Sequence, residues 1–129
     1  MSGPEFDSDA DGRSGRNPGA LVPLPYHSLD EAATVVAVND AWLECLGYER
    51  AEVLGTPFRS FLAGDSTAAF DSMFDELEAE GSVSGVEFEM VTADGSTIDV
   101  AYHGRCEYDE TGDLRRTHCQ IRDITDRKQ

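Results

Sequence analysis

The sequence predicts one α+β domain, a five-stranded antiparallel sheet with short helices covering one of its faces. Three observations predict it. From Val83 onward apolar residues alternate with polar ones, and Ala93-Asp94-Gly95 and Asp109 to Gly112 divide that stretch into a three-strand meander. Ahead of it, Phe70, Met73, Phe74 and Leu77 recur at helical spacing. The chain has 129 residues, 40% of them apolar, which suits a single core. A meander preceded by helices must bury one face of its sheet beneath them.

In chain order, residues 1–19 are rich in Gly, Ser, Asp and Pro, with Phe6 their one aromatic residue, and are predicted to be a disordered arm. The domain is predicted over residues 20–123. Leu21 to His27 reads as a first strand, confined by Pro23 and Pro25 to an edge or an irregular segment, with a turn over Ser28 to Ala33. Thr34 to Val38 is β-branched and reads as a second strand. Asn39 and Asp40 offer helix caps before a short helix that stops at Gly47. Glu49 to Leu54 and Pro57 to Leu62 read as helical turns, the latter with proline at its first position. Asp65-Ser66 opens the long helix, and Gly81 closes it. In the meander, Val86, Phe88 and Met90 alternate with Glu87 and Glu89. Ile98, Val100, Tyr102, Cys106 and Tyr108 alternate with Asp99, His103, Arg105 and Glu107, and Leu114 to Asp123 is the last strand. Residues 124–129 are predicted to start an exit helix, with Asp123 or Thr125 as its N-cap.

Charge narrows the function. Ten Lys plus Arg face 26 Asp plus Glu, a formal charge of −16. Such a surface lacks the cationic footprint that nucleic acid requires. No apolar run approaches the ~18 residues of a membrane span, so no membrane contact is expected. Cys45, Cys106 and Cys119 are odd in number, far apart and without a CxxC, which predicts reduced thiols and a cytoplasmic setting. Only one cation is lysine, and the acids are dispersed as a solvated coat. Self-repulsion of that size is relieved by salt, so the expected host is an extreme halophile.

The segment Val38-Asn39-Asp40-Ala41-Trp42, with Leu46-Gly47-Tyr48 and Glu52-Val53-Leu54-Gly55 after it, resembles the "N-x-A…G-Y…E-E-L-x-G" core of PAS domains. Asp94-Gly95-Ser96 is similar to the family's "D-G-S/T" hairpin, and Asp123-Ile124-Thr125-Asp126-Arg127-Lys128 to its "D-I-T-E-R-K" close. The opening differs, because Pro23, Pro25 and an acidic turn stand where the family has "S-P-D-G-I". The resemblance implies a single PAS-like domain, a sensory or regulatory module within a longer signal-transduction protein. A histidine kinase, transducer or regulator module would then be its downstream partner, as in two-component systems.

The resemblance also frames the cofactor question, which the sequence leaves unknown. Gly55 to Gly64 is similar to the cysteine-bearing box of flavin–thiol photosensors but has no cysteine, and the long helix has no histidine for haem. Ligand-pocket candidates are Trp42, Phe61, Phe70, Met73 and Phe74 from the helices. Phe88, Met90, Val100, Tyr102, Cys106, Cys119 and Ile121 face them from the sheet. Close packing makes a filled core of the same residues the default reading, and Trp42 reads first as a core aromatic rather than a ring stacked on a ligand. Asp123 and Thr125 are the candidate relay to the exit helix.

If Asp109 to Gly112 is a four-residue loop, His103 lies opposite His118 on the outer face, and Arg105 opposite Arg116. Two imidazoles with Glu87 or Glu89 would suit a divalent metal or acid sensing, but the third ligand is a guess, and solvent-facing histidines are the simpler reading. Catalysis is not expected, since the inner face is apolar apart from Tyr102, Thr117 and two thiols. The alternative to a sensor is a ligand-free dimerisation module using the outer face (Val91, Ala101, His103, Arg105, Gln120) or Leu21 to Tyr26. In either case a homodimer is expected.

Overall fold

The structure is a computed structural model and describes residues 24–125. The predicted arm at 1–19, the first residues of the predicted opening strand and the exit residues 126–129 lie outside the described residues.

Five strands form one antiparallel sheet: β1 (Tyr26–Leu29), β2 (Val35–Val38), β3 (Ser82–Val91), β4 (Thr97–Tyr108) and β5 (Leu114–Asp123). Their spatial order is β2-β1-β5-β4-β3. The expected five-stranded sheet with helices is therefore present as a single fold.

β1 differs from its prediction in two ways. It begins later and runs through Leu29, and it lies between β2 and β5 rather than at an edge. Proline removes a ladder donor, but both prolines precede Tyr26, so the residues that pair keep their N–H groups. Ser28 and Leu29, predicted as turn, are held in the strand. The Ser28 hydroxyl donates to the Thr117 carbonyl at 2.6 Å, and the Leu29 amide donates to Thr117 Oγ1 at 3.1 Å.

Between β2 and β3 run α1 (Asp40–Leu46), α2 (Arg50–Val53), a 3₁₀ turn (Phe58–Phe61) and α3 (Ser66–Glu80). Asn39 caps α1 by accepting the Trp42 amide at 3.0 Å. The same Oδ1 accepts the Tyr26 amide at 2.9 Å, so one side chain starts a helix and ties it to β1. Gly47 ends α1 at φ +88°, a left-handed position that glycine occupies without strain. Asp65 precedes α3 as expected, yet its side chain makes no cap bond; Ser66 turns its hydroxyl to the Glu89 amide of β3 instead, at 2.8 Å. Phe70, Met73, Phe74 and Leu77 form the buried face of α3 against β3 and β4.

The β4–β5 register corrects the histidine prediction. His103 pairs with Gln120 and His118 with Arg105, so the two imidazoles are not opposite each other. Arg116 faces Glu107 rather than Arg105. The loop has five residues, not four: the Asp109 amide donates to the Asp113 carbonyl, and the Asp109 carboxylate accepts from the Thr111 and Asp113 amides. With the irregularity between Glu107 and Tyr108, the register moves by two and brings a carboxylate opposite an arginine. Among the described residues no three His, Cys, Asp or Glu side chains gather as a metal set.

Candidate functional site

The interior between the helices and the sheet is lined by aromatic rings. Trp42, Phe61, Phe70, Met73, Phe74, Phe88, Met90, Val100, Tyr102, Cys119 and Ile121 are all buried within one cluster. Cys106 sits at its margin, half-buried, with its thiol donating to the Leu77 carbonyl. Phe58 stacks on His27 with centroids 4.5 Å apart and meets Phe70 at 5.0 Å and Tyr102 at 5.7 Å. Trp42 meets Phe61 edge-on at 5.5 Å.

His27 and Phe58 are the residues that sequence reasoning missed. Both carried a signal. His27 and Leu29 share a strand face by period two, once the strand is extended past the prolines. Phe58 and Phe61 are three apart on a 3₁₀ turn, where such positions eclipse.

A polar thread runs through this apolar surround. The Tyr102 hydroxyl donates to Cys119 Sγ at 2.9 Å, and the Cys119 thiol donates to Thr117 Oγ1 at 3.2 Å. With its proton committed to sulfur, the Tyr102 oxygen accepts from His27 Nε2, 3.2 Å away. That direction fixes the His27 tautomer: the proton is on Nε2 and Nδ1 carries a bare lone pair. Among the described residues Nδ1 has no partner, and neither has the Trp42 Nε1–H. The two rings are neighbours, 6.2 Å apart in an edge arrangement. The interior therefore holds one unsatisfied acceptor and one unsatisfied donor, on neighbouring rings.

Electrostatics keep the thread neutral. Burial lowers the His27 imidazole to about 3. Burial, reinforced by Cys119, raises the Tyr102 phenol well above its usual range, and burial pushes the Cys119 thiol up to about 11. At neutral pH these groups offer hydrogen bonds, not charge or a thiolate.

Beyond the thread lies the end of β5. Cys119, Ile121 and Asp123 alternate along that strand, and Tyr102 pairs with Ile121 while Val100 pairs with Asp123. There the Thr125 amide donates to Asp123 Oδ1 at 2.9 Å, and the Asp99 amide donates to Thr125 Oγ1 at 3.0 Å. The Ile124 amide donates to the Asp99 carbonyl at 2.8 Å, and its side chain is buried. The departing chain is thus clasped to β4 by side chain and backbone together.

Comparison with known proteins places this architecture. No curated protein matches the chain. Among solved structures, the PAS domain of a protein from Colwellia psychrerythraea superposes with a TM-score of 0.72 at 20% identity, covering 79% of this chain and 86% of that one. The PAS domain of an HTR-like protein from Haloarcula marismortui gives 0.68 at 26% identity, covering 81% and 84%. The wild-type PAS-B domain of Drosophila melanogaster Cycle, solved with bound ethylene glycol, gives 0.72 at 14% identity, covering 78% and 99%. The PAS domain family model matches residues 23–126, well over half of the sequence, and the chain therefore belongs to the PAS domain family.

Proposed function

We propose that this PAS domain, a sensory or regulatory module by family, takes a small hydroxyl-bearing molecule into the helix–sheet interior. Occupancy is then relayed through Asp123, Ile124 and Thr125 to an output module of the same protein. The unpaired Trp42 Nε1–H and the bare His27 Nδ1, on neighbouring rings, carry this reading. A buried polar group left unmade costs about 1–3 kcal/mol, and a core needing only packing would use phenylalanine at both places. A hydroxyl is both donor and acceptor, so a molecule bearing one or two of them satisfies the pair. Ethylene glycol, the molecule bound by Cycle PAS-B, belongs to this class. Entry displaces rings now in contact, and the repacked Tyr102–Cys119 thread shifts β5 and thereby the angle of the exit segment, a two-state element of the kind allostery requires.

The dispersed charge of −16, with a similar structure from Haloarcula marismortui, supports a halophilic setting, and the free thiols of Cys45, Cys106 and Cys119 support a cytoplasmic one. Residues 124–129 then begin a helix that continues toward a kinase, transducer or regulator in a dimer.

Native mass spectrometry of protein purified from its own host tests the reading. A bound mass that disappears in Trp42→Phe is expected, with affinity lowered about tenfold for the lost donor. A persistent empty dimer favours the dimerisation module instead. In the complete protein, Asp123→Ala is expected to uncouple output from stimulus; unchanged amplitude overturns the relay.

A further inference from the structure

On the opposite face of the sheet, away from the helices, an open groove of about 310 Å³ runs from β1 across β5 and β4 to β3. Its lining includes Tyr26, Val83, His103, Arg105, His118 and Gln120. Among the described residues no Asp or Glu lines it, acidic as the sequence is, whereas two of the three histidines do. We propose that this groove binds a small monocarboxylate, with Arg105, the Nε2–H of His103 and the Gln120 carboxamide as its donors.

The donor set follows from the hydrogen bonds that are already made. The Gly85 amide can only donate, and it donates to His103 Nδ1 at 3.2 Å, with the Ser84 hydroxyl on the same nitrogen at 3.0 Å. The neutral ring must therefore carry its proton on Nε2, which has no partner among the described residues. His118 is committed on both sides, to Glu107 at 2.8 Å through Nε2 and to the Tyr26 hydroxyl at 2.7 Å through Nδ1. It fixes the wall rather than offering a donor. The Tyr26 ring lies nearly parallel to His118, with centroids 6.1 Å apart, and gives the groove a flat apolar side. Arg105 forms no ion pair among the described residues, and the Gln120 side chain makes no hydrogen bond there.

These features select the ligand class. One unpaired guanidinium balances one negative charge, and its planar fork matches a carboxylate in two parallel bonds. A phosphate dianion would bring a second charge to a protein already at −16 with nothing to neutralise it. The volume exceeds what a carboxylate fills, leaving room for a ring or short alkyl body against Tyr26.

The test is an NMR titration of the full chain near pH 8 with benzoate, following the His103 and Arg105 side-chain nitrogens. Potassium chloride and inorganic phosphate at matched ionic strength are the controls. The expected result is saturable shifts at both side chains with benzoate alone. Arg105→Ala should weaken binding at least about tenfold, as loss of charge-assisted hydrogen bonds does, with an unchanged melting temperature. Gln120→Ala should weaken it less. Shifts reproduced by chloride, equal saturation by phosphate, or benzoate affinity untouched in Arg105→Ala each overturn the proposal. So do shifts that grow with protein concentration before any benzoate is added, which would mean that carboxylates of a second copy fill the groove.

Discussion

His27 makes stability depend on acidity. Its ordinary value is 6.5, and burial lowers it to about 3 in the folded chain. Below pH 6.5 the unfolded chain takes up a proton that the folded chain refuses, so stability is fully present above 6.5 and falls as the pH drops toward 3. The slope approaches about 1.4 kcal/mol per pH unit, so urea denaturation should show a loss of about 2 kcal/mol between pH 7 and pH 5. In His27→Phe that loss should shrink to what the remaining groups supply; an unchanged slope would place the effect elsewhere. The aromatic candidates Trp42, Phe70, Phe88 and Tyr102 were legible because their helix or strand period was clear. His27 was not, since its face is defined only once β1 is known to continue past the prolines into Leu29.

Elements with local signals were legible and those set by distant partners were not. Asn39 before α1, Gly47 and Gly81 after helices and the alternation of β3 to β5 act within a few residues of themselves. β1 is different: Ser28 and Leu29 are fixed by Thr117, 88 or more residues away, and no local pattern reports that bond. Register failed for a related reason, because one residue of loop length and a bulge decide every pair in the β4–β5 ladder. The β4–β5 ladder also carries a close contact. A Cβ on Gly104 would stand 3.1 Å from Cys119 Sγ and 3.3 Å from the Tyr102 ring, both inside the polar thread. Gly104→Ala should therefore cost about 1–3 kcal/mol by overpacking. Thermal melts would read this, and a melting temperature equal to wild type would mean that the thread yields freely.

For the molecule as a whole, like charges repel across a net −16. Salt screens that repulsion, with a Debye length of ~3 Å at 1 M. The melting temperature should rise by about 4 °C or more between low and molar KCl, the shift that about 1 kcal/mol gives a domain of this size. Equal midpoints would show that the acids are spaced widely enough not to matter. The sheet order has another consequence, for synthesis on the ribosome. β5 is the last strand of the described chain to be made, yet it is the middle strand of the sheet. Until it emerges, the hairpin of β1 with β2 and the hairpin of β3 with β4 have no shared edge to join. The nascent chain must wait with two half-sheets and the inner faces of its helices uncovered, a slow, long-range closure exposed to aggregation. Arrested chains ending before Leu114 should be protease-sensitive throughout, and protection should arrive in one step once Asp123 has cleared the exit tunnel.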